Sequence, residues 1–267
     1  MLGRRPDATL VRDLPAIRRF MPFVSPRRNE SLVYFAQELD VEAALAFVEE
    51  RNRNRPPERP LTLFHLLLRA IARTVAERPR LNRFTAGGRI WQRDGVWPSF
   101  SAKLRFDLDA PILTVKRRFP EGESLDEMAD GLLSGLRQGR SGRPSTSDRE
   151  MGLLLRLPPF VVRLLMRLVR AADAQGLVPR AMIEGDPLYC SAFVTNLGSV
   201  GLEAGYHHLW EYGNCPIFCV IGRVRPGPAG RRLVTLKWTY DERVEDGFYC
   251  ARALEKLGET IGKPETL

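Results

Sequence analysis

The chain contains the stretch Tyr240-Asp241-Glu242-Arg243-Val244-Glu245-Asp246-Gly247, which joins two segments of different periodicity. Residues 233–240 are rich in β-branched and aromatic side chains, which is typical of a β-strand. Residues 248–261 place apolar side chains at helical spacing, at Ala251, Leu254, Leu257 and Ile261. The pattern therefore predicts a strand, a charged loop and a helix in succession, with the acidic residues gathered in the loop.

Other stretches predict further local structure. Leu61 to Arg78 has the apolar stripe of a buried helix capped by Thr62, and it is followed by Pro-Arg-Leu-Asn and a hairpin around Gly87-Gly88. On this helix we expect His65 to be a core or groove residue rather than a catalytic one. Further along, Phe193-Val194-Thr195-Asn196-Leu197-Gly198 predicts a strand that ends at a hydroxyl residue. Leu10 to Phe20 is predicted as a short helix that ends before Pro22.

In this order and spacing, these stretches resemble the catalytic domain of the acyltransferases of 2-oxoacid dehydrogenase complexes. That domain shares its fold with chloramphenicol acetyltransferase. The similarity covers roughly residues 15–135 and 186–262. It implies an α/β fold with a large mixed sheet flanked by helices, in a single domain over residues 1–267 with a helical insertion at about 137–180.

The resemblance also implies a site. The second residue of the family's charged signature is a histidine that acts as general base, and Glu242 stands there in this chain. Thr195 matches the hydroxyl that stabilises the oxyanion, although a β-branched residue at a strand end needs no such role. Asp246 matches an aspartate that holds the site together by ion pairing, for which Arg243 is the expected partner. Asn196 and His208 are supporting candidates.

Glu242 leaves two functions open. An ordinary glutamate has a pKa of about 4.3 against about 6.5 for histidine, so it is the weaker base by roughly two units. The chain is therefore either an acyltransferase with an altered base, or an inactive relative that binds acyl-coenzyme A or serves as a scaffold or regulator. The resemblance implies coenzyme A or acyl-CoA as substrate, no metal, and a homotrimer with its sites between subunits. An acyl carrier or another protein partner is compatible with either function, the altered acyltransferase or the inactive relative.

Composition narrows the partners. The formal net charge is +9, yet the sequence has no zinc-finger spacing, aromatic-rich basic strand or basic tail, so we predict no nucleic-acid partner. We expect the arginine-rich surface to meet a protein partner or the phosphates of coenzyme A instead. Four cysteines with no metal-binding spacing favour free thiols in the cytoplasm. The sequence has no apolar run of about 18 residues, so it predicts no membrane-spanning helix.

Residues 157–174 are the segment that the resemblance does not explain. Arg156, Arg163, Arg167 and Arg170 fall on one helical face, with Phe160, Val161, Leu164, Leu165, Leu168 and Val169 opposite. We expect the apolar face to pack on the domain and the arginines to face water. A lid over an acyl-binding groove and a helix lying on a membrane surface are the two alternatives.

Overall fold

The computed structural model describes residues 4–103, 112–140 and 152–267. The strands are β1 (Ala8–Leu10), β2 (Leu32–Asp40), β3 (Arg83–Ala86), β4 (Arg89–Arg93), β5 (Pro98–Lys103), β6 (Ile112–Lys116), β7 (Ala192–Asn196), β8 (Ile217–Pro226) and β9 (Arg232–Asp241). The helices are α1 (Ala16–Val24), α2 (Glu42–Asn52), α3 (Leu63–Glu77), α4 (Leu125–Arg140), α5 (Pro159–Ala174), α6 (Arg180–Gly185) and α7 (Gly247–Gly262). Residues 141–151 of the predicted insertion at about 137–180 lie outside the described residues.

A six-stranded mixed sheet is the centre of the fold. Its strand order is β2-β9-β8-β7-β5-β6, and β7 is parallel to both of its neighbours while the other pairs are antiparallel. A smaller antiparallel sheet has the order β1-β4-β3. The predicted α/β fold with a large mixed sheet is confirmed.

The two faces of the large sheet have different covers. Along β7, Ala192 and Val194 point into the main core, whereas Phe193 points into a second cluster, as the alternation of strand side chains requires. Helices α2, α3, α4 and α7 pack apolar side chains against the same face of the sheet in the main core. Ala204, Leu209 and Cys215 cover the second face from the chain between β7 and β8.

The local predictions are confirmed for most elements. Thr62 caps α3, Asp246 caps α7, and a hairpin turn joins β3 to β4. The prediction for α1 was wrong, because the helix starts at Ala16 and continues through Pro22 to Val24. Leu14 precedes Pro15, and a residue before proline is disfavoured in the helical region, so the helix begins only after Pro15. Pro22 itself is buried within the helix.

The prediction for the insertion helix was wrong in part. Arg163 and its two neighbours along the row are exposed as expected, but α5 has no buried residue. The half-buried row is Val162, Met166, Val169 and Asp173, which turns the Phe160, Leu164 and Leu168 row to the outside. A buried ion pair explains this rotation, because Asp173 accepts hydrogen bonds from Arg5 through both its carboxylate and its carbonyl.

Candidate active site

The signature loop, residues 240–247, alternates between buried and exposed side chains. Its buried members beyond Tyr240 are Asp241, Arg243, Val244 and Glu245, whereas Glu242 and Asp246 are exposed. The loop is therefore held from beneath by its neighbours while two carboxylates stand at the surface.

A buried ion pair between Asp241 and Arg243 holds this loop in place. The Arg243 guanidinium donates to both carboxylate oxygens of Asp241, at 2.8 and 2.7 Å, and both side chains are almost fully buried. Arg28 adds a second cation 3.7 Å from the same carboxylate. Arg243 also donates to the carbonyls of Ser25 and Pro26. We expected Arg243 to pair with Asp246, and the structure pairs it with Asp241 instead, because Asp241 is the carboxylate buried beside it.

Asp246 and Glu245 have structural partners of their own. Asp246 accepts the backbone N–H of Tyr249 at 2.9 Å as the N-cap of α7. The buried Glu245 carboxylate lies 3.4–3.7 Å from three arginines, Arg18, Arg80 and Arg83. Capping and charge balance account for both carboxylates without a catalytic role.

Glu242 is fixed through its backbone only. Its N–H donates to the carbonyl of Ser31 at 2.9 Å, and its own carbonyl accepts from Arg18 at 2.8 Å. Within the described residues its carboxylate has neither a hydrogen bond nor an ion pair. Glu242 thus combines a well-anchored backbone with a carboxylate that no described side chain holds.

Thr195 is paired with a second hydroxyl. Its Oγ1 lies 3.1 Å from the Oγ of Ser101, on β5, the strand beside it. Both residues line a cleft of about 700 Å³ that is otherwise mainly apolar, with Leu63, Phe64, Leu67, Phe100 and Leu132 among its walls. Sequence reasoning missed Ser101, because only the parallel pairing of β5 with β7 brings the two hydroxyls together.

The residues after Thr195 shape the rim of this cleft. Asn196 caps the short 3-10 turn Leu197–Val200 by accepting the N–H of Ser199, so its side chain has a structural role. Gly198 is required by a close approach, since a Cβ there would lie 2.4 Å from the carbonyl oxygen of Gly222. The Asn-Leu-Gly sequence therefore fixes the backbone beside Thr195.

His65 also lines the cleft. Its Nδ1 accepts the backbone N–H of Thr62 at 3.1 Å, so the imidazole completes the helix cap. Burial, aided by the positive charge of Arg55, lowers the pKa of His65 to about 4. The ring is therefore neutral at pH 7, and its Nδ1 is engaged in the helix cap, so His65 has the core or groove position that we expected.

This pKa predicts how stability changes with pH. His65 binds a proton more readily in the unfolded chain, so its contribution is complete above about pH 6.5 and is lost as the pH falls towards 4. We expect the His65 contribution to weaken by about 2–3 kcal/mol over that range. Urea unfolding at a series of pH values would show a flatter dependence for His65→Gln, whereas His208→Gln, at an exposed position, would follow the wild type. An unchanged slope for His65→Gln would contradict the prediction.

Thr195 and Glu242 lie at opposite ends of the sheet within one chain. Thr195 on β7 lies opposite Val220 on β8, and Val220 lies opposite Lys237 on β9. Glu242 follows Lys237 by five residues, directly after the end of β9. At about 3.3 Å per residue this separates the two levels by roughly 16 Å along the strands, with β8 between them. His208 is exposed and stacks on His207, whose ring packs on Phe218. The structure therefore does not bring the predicted catalytic residues together in a single copy.

No group of three or more His, Cys, Asp or Glu side chains placed to hold a metal occurs in the described part of the chain. No helix within residues 4–103, 112–140 and 152–267 is long and apolar enough to cross a membrane.

Solved structures identify the fold class. A probable dihydrolipoamide acetyltransferase from Listeria monocytogenes aligns over 95% of this chain and 94% of its own, with 16% identity and a TM-score of 0.61. The catalytic core of the 2-oxoacid dehydrogenase multienzyme complex from Thermoplasma acidophilum aligns over 95% and 98%, with 14% identity and a TM-score of 0.62. A chloramphenicol acetyltransferase aligns over 95% and 99%, with 13% identity and a TM-score of 0.59.

The predicted chloramphenicol acetyltransferase-like fold is thereby confirmed. No family model matches the sequence, and no curated protein matches it. At identities of 13–16% the likeness establishes the fold, and the reaction has to be argued from the side chains.

Proposed function

We propose that the protein transfers an acyl group between a coenzyme A thioester and a second thiol or a hydroxyl. The observation that carries this proposal is the Thr195–Ser101 hydroxyl pair, which opens onto a mainly apolar cleft of about 700 Å³. Such a cleft suits an acyl chain, and a hydroxyl held by a neighbouring hydroxyl is a preorganised donor for an oxyanion.

The proposed site is completed by a second copy of the chain. Thr195 and Glu242 of one chain are too far apart to act on the same carbonyl, and Glu242 stands exposed on a loop anchored from beneath. A homotrimer, in which Glu242 of one copy faces Thr195 of the next, would bring the two halves together. A single-domain chain over residues 1–267 fits this arrangement.

The steps follow from the two groups. The Glu242 carboxylate accepts the proton of the acceptor thiol or hydroxyl, whose sulfur or oxygen then attacks the thioester carbonyl carbon. The carbonyl oxygen becomes an oxyanion that accepts a hydrogen bond from the Thr195 hydroxyl, and Ser101 keeps that hydroxyl in place. The C–S bond to coenzyme A then breaks, and the departing thiolate takes back the proton from Glu242.

Removing the hydroxyls tests the proposal. Thr195→Ala is expected to lower kcat for acyl exchange between an acyl-CoA and a simple thiol roughly 10²-fold, because one oxyanion donor is lost. Ser101→Ala should lower it less, since Ser101 only holds Thr195. Thr239→Ser, which keeps a hydroxyl at a buried position on β9, is the control and should leave the rate unchanged. Equal rates for Thr195→Ala and wild type would exclude this role for Thr195.

A second function is favoured by one observation. The Glu242 carboxylate has no side chain that orients it among the residues described. A protein of this fold that binds an acyl thioester without catalysing its reaction, as a scaffold or regulator, would not need an oriented Glu242 carboxylate. Isothermal titration with acyl-CoA would then give binding that Thr195→Ala weakens, while acyl exchange stays at the uncatalysed rate for wild type and every variant.

A further inference from the structure

Helix α5 exposes an apolar row that none of the described residues covers. Phe160, Leu164 and Leu168 recur every four residues and are 71%, 55% and 56% exposed. Leu157 precedes this row, and Leu177 extends the exposed apolar surface beyond the end of the helix. Large apolar side chains that repeat at helical spacing form one contiguous exposed patch, which indicates an interaction surface; isolated exposed apolar residues do not.

Helix α5 is oriented so that this row lies on its solvent-facing side. At about 100° per residue, the half-buried row of Val162, Met166 and Val169 lies roughly opposite the row of Phe160, Leu164 and Leu168. Asp173, bound to the buried Arg5, holds the helix in that rotation. The apolar row therefore points away from the protein body.

Three arginines flank the apolar row. Arg163, Arg167 and Arg170 are exposed and lie about 90° around the helix from it. None of them forms an ion pair with any described residue, whereas the arginines of strands β8 and β9 each pair with a carboxylate: Arg223, Arg225 and Arg232. The one acidic residue of α5, Asp173, is committed to Arg5. Within residues 4–103, 112–140 and 152–267, no carboxylate therefore balances the positive charge of these three arginines.

We infer that α5 is the contact surface of the protein with an anionic lipid bilayer. A helix about 24 Å long that lies parallel to the bilayer would place Phe160, Leu164 and Leu168 among the acyl chains. Arg163 and Arg167, one quarter-turn away, would reach the phosphates at the headgroup level, which is how long cationic side chains behave at such a boundary. The formal net charge of +9 adds a long-range attraction to the same surface.

Vesicle co-sedimentation tests this inference with the whole chain. We expect the wild type to sediment with vesicles of phosphatidylcholine and phosphatidylglycerol, and not with vesicles of phosphatidylcholine alone. Arg163→Gln with Arg167→Gln should lower the partition coefficient roughly 30-fold, since each arginine near an anionic surface contributes about fivefold. Arg53→Gln with Arg59→Gln, two exposed arginines in the loop before α3, removes the same charge and should lower it far less.

The apolar row has its own matched control. Phe160→Asp is expected to reduce binding at high salt at least roughly tenfold, because the buried ring is replaced by a charge that the anionic surface repels. Phe248→Asp alters a phenylalanine of the same exposure, 72% against 71%, on α7 and should have little effect. Both sites are exposed, so both variants should fold.

Three outcomes would overturn the inference. One is the absence of sedimentation with any vesicle. Another is an equal loss for the α5 variants and their matched controls. The third would be seen by sedimentation velocity without lipid: if Phe160→Asp lowers the mass of the wild-type assembly, a second copy of the chain covers this face.

Discussion

Glu242→Gln is expected to lower kcat for acyl exchange roughly 10²-fold, towards the lower end of what a general base contributes. The amide keeps the shape of the side chain but cannot accept the proton. Glu242→His should act in the opposite direction and raise kcat roughly tenfold above pH 6.5, because an imidazole is intrinsically a stronger base than a carboxylate. The measurement is the release of free coenzyme A thiol from an acyl-CoA in the presence of a second thiol.

Glu255→Gln is the control for this experiment. Glu255 is an exposed carboxylate on α7 that pairs with Arg252, so its replacement changes the charge equally and leaves the site intact. If Glu242→Gln and Glu242→His both match wild type across several donors and acceptors, Glu242 is not a base. The thioester-binding function would then be the better account of this fold.

Asp241→Asn is expected to lower the free energy of unfolding by about 3–5 kcal/mol, the largest stability effect we predict for a single substitution in this chain. The side chain of Asp241 is 1% exposed, and Arg243 beside it is 4% exposed. Removing the carboxylate charge leaves the buried Arg243 guanidinium without the carboxylate it pairs with, and it removes one of the anions near Arg28. Urea unfolding at pH 7 measures the change.

Glu203→Gln provides the comparison with an exposed pair. Glu203 and Arg223 form an ion pair of the same length, 2.7 Å, but both side chains are about half exposed. Exposed pairs contribute about 0–1 kcal/mol, because water screens the charges. Similar losses for Asp241→Asn and Glu203→Gln would show that burial of the Asp241–Arg243 pair has no special weight. Adding Arg243→Met to Asp241→Asn should recover part of the loss, since one unbalanced charge is removed.

Local patterns in the sequence were sufficient for much of the fold. The apolar spacing in 248–261 and the cap at Thr62 predicted α7 and α3, and the β-branched run before Tyr240 predicted β9. These elements were predictable because each depends on neighbours a few residues away. The loop between β9 and α7 was also placed correctly by the same reasoning.

The side-chain partners were not predictable in this way. Thr195 meets Ser101 and Asp241 meets Arg28 only through the pairing of distant strands and loops. The rotation of α5 depends on Asp173 and Arg5, which are 168 residues apart in the chain. Periodicity correctly assigned α5 as amphipathic, yet it could not tell which of its rows the protein would cover.

The parallel pairing of β5 with β7 has a consequence for chain length. Residues 104–191, which include α5, form the crossover between these two strands. The entropy of closing a loop grows only with the logarithm of its length, so deleting the sixteen residues of α5 would change that term by about 0.2 kcal/mol. Sequences with this fold can therefore gain or lose a helix in the crossover almost independently of the sheet that the crossover connects.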